Sequence, residues 1–194
     1  MEAKELIAFE EEIGELFNQG KIRSPIHLSK NNEEQLIEIF KEIQPNDYVF
    51  STHRSHLHAL LKDISPEWLK QEILNNHSIS INNKEHRFFS SAIVGGICPI
   101  SLGVAMAIKR QGGQERVWAF CGEMASRTGI FYECVRYAEG FDLPITYVVE
   151  DNGKSVNTPT TEVWGLDYKG DKIRYYKYVR TKYPHSGTGK WIEF

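Results

Sequence analysis

The chain has no apolar run approaching the roughly 18 residues that a membrane-crossing helix needs. Its first residues, MEAKELIAFEEEIGELF, interleave acids with apolar positions. That start is not a secretory signal, so the expected setting is cytoplasmic, with no membrane contact. Cysteine is scarce: Cys98, Cys121 and Cys134 are an odd number, lie in apolar stretches and lack the paired short spacing of a zinc site. They read as buried thiols in a reducing compartment. An excess of one charge is also missing. Against 26 acidic side chains stand 23 basic ones, and the two signs are mixed in most segments, so there is no broad footprint for nucleic acid. Internal repeats and low-complexity tracts are absent, and the chain reads as continuously folded.

What is present is enough sequence for one sizeable core: 194 residues, read as a single domain with residues 1–45 as a helical arm. Leu6, Phe9, Ile13, Leu16 and Phe17 recur at helical spacing up to Gly20, and Leu36, Ile37, Phe40 and Ile43 do so before Pro45. Tyr48 to Phe50 is a short strand ending in a polar cluster, Ser51 to His56. Helices are predicted over 58–62 and 66–74, a loop over 82–91 and a small-residue helix over 93–108. From Val117 the pattern sharpens: strand 117–121, polar turn 122–127, helix 128–139, strand 145–149 and turn 150–153. This is a strand-helix-strand unit of a parallel sheet, and the fold class is α/β, a parallel sheet flanked by helices. At the end, strand 173–179, the Tyr183 to Gly189 turn and strand 191–194 suggest an antiparallel edge. The Tyr183-Pro184-His185 turn reads as structural.

In an open parallel sheet ligands bind beyond the carboxyl ends of the strands, and a right-handed crossover brings two such ends to one edge. Glu123 and Asn152 occupy those ends, 29 positions apart (152 − 123). A carboxylate and an amide oxygen there suit magnesium or calcium rather than zinc. The turn after Glu123 opens a helix, whose free N–H groups favour a phosphate. The same residues are also ordinary turn formers, and a phosphate module for another nucleotide fits them as well.

The run GEMASRTGIFYECVRYAEGFDLPITYVVEDN resembles the thiamine diphosphate motif, and more narrowly the alpha subunit of the decarboxylating component of 2-oxo acid dehydrogenase complexes. Upstream, GKIRSPIHL, HRSH and AIVGGICPISLGVAMA resemble further segments of that family, in the same order. The resemblance implies a thiamine diphosphate-binding fold with Mg2+ held by the side chains of Glu123 and Asn152 and the carbonyl of Lys154. It implies cofactor contacts from His53, Arg54, Val94, Gly122, Glu123, Met124, Ala125 and Asn152, and it makes His27 and His56 candidates for catalytic proton handling. In that family the glutamate that activates the aminopyrimidine comes from a separate beta-type subunit. A pyrimidine-binding partner and a heterotetramer are therefore implied, with activity only in the assembly.

The sequence departs from the family pattern at Met124, where a second glycine is usual, and at His53, where Tyr is usual. Within the roughly 40 residues after Asn152 no counterpart of the family's long-loop histidine is read. These departures imply a shortened relative acting on a 2-oxo acid or ketose-like donor by decarboxylation, carboligation or ketol transfer. The alternative is a non-catalytic paralogue that keeps the fold as a scaffold.

Overall fold

Helical spacing of apolar residues sets the first elements of the chain, whose computed structural model describes residues 1–164 and 171–193. In α1 (Ala3–Asn18) Leu6, Phe9 and Ile13 fall on one buried stripe. Glu5 reaches back to accept the Glu2 backbone N–H at 2.6 Å, satisfying a donor that a helix start leaves free. In α2 (Glu33–Phe40) Leu36, Ile39 and Phe40 are buried; the backbone turns after Phe40, short of the predicted Ile43. After β1 (Tyr48–Ser51) come α3 (His56–Leu61) and α4 (Pro66–Leu74). Ser65 caps α4 by accepting the Trp68 N–H at 3.1 Å, and Pro66 occupies the first turn, where its missing donor costs nothing.

The predicted loop over 82–91 instead carries β2 (Asn82–Asn83) and β3 (Phe88–Ser90), strands too short for alternation to reveal. The small-residue helix α5 (Ile97–Gln111) starts later than predicted. Ahead of it Gly95 takes φ +74°, a left-handed conformation natural to glycine, and a Cβ there would meet Ile130 at 3.2 Å. The strand-helix-strand unit follows as β4 (Val117–Gly122), a 3-10 turn (Ala125–Arg127), α6 (Gly129–Gly140) and β5 (Ile145–Asp151). A two-residue hairpin, β6 (Lys154–Ser155) and β7 (Thr158–Pro159), leads to α7 (Thr160–Trp164) and then β8 (Ile173–Lys177).

The main sheet runs β2-β3-β1-β4-β5-β8, and every pairing in it is parallel except β2 with β3. Alternation along β4 supplies both faces. Trp118 and Phe120 join the core formed with α1 to α4, while Val117, Ala119 and Cys121 join the core formed with α5 and α6. Val148 and Tyr147 split the same way on β5. Helices on both faces explain why these strands are almost wholly apolar. The three cysteines are buried, unpaired thiols.

The antiparallel edge predicted at the C-terminal end is corrected: β8 pairs with β5 in parallel, Tyr147 opposite Ile173 through Asp151 opposite Lys177. The residues between Asp151 and Ile173 exceed the dozen or so that a parallel return requires. Residues 191–193 form no strand, and Phe194 lies outside the described residues. So does 165–170, the centre of the connection into β8.

Candidate functional site

Register fixes the geometry of the carboxyl edge. Gly122 on β4 sits opposite Glu150 on β5, so Glu123 and Asn152 leave adjacent strands on the same side. Both line a cleft of about 320 Å³, near the lower bound for small-molecule pockets. His27, His53, Arg54, Val94, Gly122, Met124, Ala125 and Lys154 line it too, and residues that the sequence did not indicate join them: Glu150, Tyr178, Arg180 and His185.

The oxygen donors meet at its floor. Glu123 is buried, and its Oε1 accepts the Thr160 hydroxyl at 2.9 Å. Burial raises its carboxyl above the ordinary range, opposed by hydrogen bonds from Thr160 and from the Glu123 and Asn152 backbones. Asn152 Oδ1 accepts the Lys154 N–H at 3.1 Å and retains a second lone pair, while its Nδ2 donates to Tyr178 at 3.3 Å. A desolvated carboxylate sharing a cleft with an amide oxygen is a donor pair that fits a hard divalent cation. Met124 has φ −71° and ψ −36°, so the backbone there does not require glycine.

Arg54 ties another part of the lining together. Its Nη1 donates to the Leu28 carbonyl and its Nη2 to the His185 carbonyl at 3.1 Å. The Gly187 N–H donates to Ile26 O at 2.9 Å, so the segment around residues 26–28 and the Tyr183 to Gly189 turn are bound to each other and to the end of β1. The result is a group of three imidazoles, with ring centroids separated by 4.4 Å for His27 and His53, 5.0 Å for His27 and His185, and 5.7 Å for His53 and His185. His185, read from sequence as part of a structural turn, is therefore a site residue.

Burial, then repulsion from His53, Arg54, His185 and His56, lowers the His27 pKa to about 3. Burial, then Arg54 and His185, lowers that of His53 to about 4. Both imidazoles are neutral at pH 7. Above about 6.5 neither the folded nor the unfolded chain protonates them; below it the unfolded chain binds protons that the folded chain refuses. Fold stability should thus fall as pH drops from 6.5 toward 4. Urea midpoints across that range are expected to decline less steeply in a His27→Gln, His53→Gln double variant, and an identical slope would contradict this account.

His56, a predicted proton handler, does not reach the cleft. As the first residue of α3 it turns inward, fully buried, with Nε2 3.0 Å from Ser78 Oγ and Nδ1 3.3 Å from Glu10. In this position it supports the interior and is not among the residues that line the cleft. Glu150 is similarly fixed from behind: it accepts Tyr176 OH at 2.6 Å and lies 3.3 Å from His58 Nε2. Burial opposes its charge, yet His58, Tyr176 and Arg54 outweigh burial and hold its carboxyl below the usual value.

The sequence model of the dehydrogenase E1 component family matches residues 1–174. Among curated proteins, the alpha subunit of acetoin:2,6-dichlorophenolindophenol oxidoreductase from Cupriavidus necator is 31% identical over 160 residues, covering 77% of this chain and 48% of that protein. The pyruvate dehydrogenase E1 component subunit alpha of Rickettsia prowazekii is 29% identical over 163 residues, covering 77% and 49%. The acetoin oxidoreductase alpha subunit of Bacillus subtilis is 26% identical over 182 residues, covering 89% and 55%. The chain spans about half the length of the curated relatives it matches. With a match running from the first helix to the start of β8, the chain belongs to the dehydrogenase E1 component family.

Proposed function

We propose that the chain is the magnesium- and diphosphate-binding subunit of a heteromeric thiamine diphosphate-dependent enzyme acting on a 2-oxo acid or related carbonyl donor. The observation that carries this reading is the convergence of Glu123 and Asn152 on one cleft at the carboxyl edge of β4 and β5. Glu123, Asn152 and the Lys154 carbonyl would hold Mg2+, and Arg54 with the backbone of the turn after Glu123 would face the diphosphate. Val94, 68% exposed on the rim of the cleft, would lie against the aminopyrimidine.

When bound, the cofactor supplies the electron sink for cleaving or forming a bond next to a carbonyl. The protein's own part is binding, orientation and proton placement. His27, neutral and shielded, offers a ring nitrogen beside the substrate; its pKa of about 3 makes it a weak base, and a bound diphosphate that offsets the Arg54 charge would raise it toward the range of proton transfer, with His185 and His53 bordering the ring. Glu150 is ionised and tethered, which suits it to fixing charge rather than shuttling protons. The described residues offer no further carboxylate in the cleft beyond Glu123 and Glu150, so the group that activates the pyrimidine would come from a separate beta-type subunit. The names of the relatives as alpha subunits agree with such a partner.

Calorimetric titration tests the reading. Saturable binding of thiamine diphosphate is expected in the presence of Mg2+ and not with chelator, and thiamine lacking phosphate should bind at least about tenfold more weakly, since charge-assisted phosphate contacts are lost. A preference for ADP or ATP over thiamine diphosphate would replace it with the nucleotide-module reading.

A further inference from the structure

We infer that His27, His53 and His185 form a second metal site, selective for a borderline divalent ion such as Zn2+, in the same cleft as the oxygen donors Glu123 and Asn152 but built from a different set of ligands. One ring nitrogen from each of the three lies within 4.8 Å of the others. In a tetrahedral zinc site with bonds of about 2.0–2.1 Å, ligand nitrogens stand roughly 3.4 Å apart. Side-chain rotations therefore close the set without moving the backbone, which the Arg54 clamp already fixes through Leu28 O and His185 O.

A second observation points the same way. His27 Nδ1 is shielded from solvent and has no hydrogen-bond partner, and a buried polar atom of that kind calls for a ligand. Three neutral imidazoles are the donor type that prefers Zn2+, Co2+ or Ni2+ to Mg2+, whereas the carboxylate and amide oxygens of Glu123 and Asn152 have the opposite preference. The Arg54 charge opposes a cation here, and the Glu150 carboxylate lining the same cleft favours one. All three rings border the cleft, so the fourth coordination position opens into it, as in zinc sites that keep a place for water or substrate. An ion held there occupies the lone pairs that proton transfer would use, so metal binding and proton handling by His27 exclude each other. The inference does not need thiamine diphosphate to bind, and where it holds it withdraws the proton-handling role from His27.

The test uses the whole chain, stripped with chelator and kept in excess Mg2+ to fill the oxygen site, then titrated with Co2+ alone while the visible spectrum is followed. The expected result is one tight site with the intense absorption of tetrahedral nitrogen coordination, displaced by Zn2+. His53→Ala and His185→Ala should each weaken binding by at least about tenfold, because a ligand is lost from the coordination shell. His77→Ala, altering an exposed imidazole paired with Glu72, should leave it unchanged. His185→Gln, which keeps size and polarity, covers the case in which the alanine variant fails to fold, with circular dichroism as the check. Wild-type affinity in the folded His53 and His185 variants, or a weak octahedral spectrum abolished by Glu123→Gln, would overturn the inference.

Discussion

Glu123→Gln is expected to abolish measurable Mg2+-dependent binding of thiamine diphosphate while leaving the fold as stable as before or slightly more so. The amide keeps the shape of the side chain and an oxygen to accept the Thr160 hydroxyl, so packing is undisturbed. What disappears is the negative charge. In a buried site, removing one member of an ion pair costs about 3–5 kcal/mol, which corresponds to roughly a hundredfold or more in affinity. In the absence of the cation the same charge is a burden, because burial disfavours the ionised form and raises its pKa, and the neutral amide escapes that cost. Calorimetry and a thermal melt on the same two proteins give the answer. Binding within threefold of wild type would remove Glu123 from the metal site, and a large loss of stability would recast it as a structural residue.

The part of the site readable in the sequence is the part built by one crossover. A strand, a helix and a second strand of ordinary length bring Glu123 and Asn152 to one edge whatever the rest of the chain does, because handedness and direction are fixed for that unit. The other wall depended on the direction of a single strand. Read as an antiparallel edge, residues 173–179 carry their C-terminal neighbours away from the cleft. Paired in parallel with β5, the same strand delivers Tyr178, Arg180 and His185 to it. The available signal was chain length: the segment between Asp151 and β8 suits a crossover better than a hairpin. His56 lies away from the cleft lining for a different reason. Two positions after Arg54 it looks like part of one polar patch, but the start of α3 between them turns its side chain into the core, where Glu10 and Ser78 meet it. Linear spacing carries no information on that turn, nor on the inward-facing Glu10 of α1, which occupies a position on an apolar stripe.

Arg54→Ala is expected to weaken both the fold and the cofactor site, and Arg54→Lys separates the two effects. The guanidinium fork serves the Leu28 and His185 carbonyls together, and no single ammonium reproduces that geometry. Losing the donor leaves two shielded acceptors, at about 1–3 kcal/mol each where water cannot replace the bond, so urea unfolding should register a loss of about 2–6 kcal/mol for the alanine variant. Lysine retains the charge beside the cleft and can serve one carbonyl. It should recover part of the stability, while the Gly187 amide, bonded to Ile26 O, exchanges faster with deuterium than in the wild type. For thiamine diphosphate the same pair distinguishes two kinds of contact. If the phosphate senses only a nearby charge, lysine restores affinity almost fully. If it requires a fork pre-positioned by Leu28 and His185, both variants bind at least about tenfold more weakly, as bidentate recognition demands. Unaltered affinity in a destabilised Arg54→Ala protein would assign the residue to holding the wall together and remove it from cofactor recognition. The two carbonyl bonds favour the fork, because they fix the plane of the guanidinium before any ligand arrives.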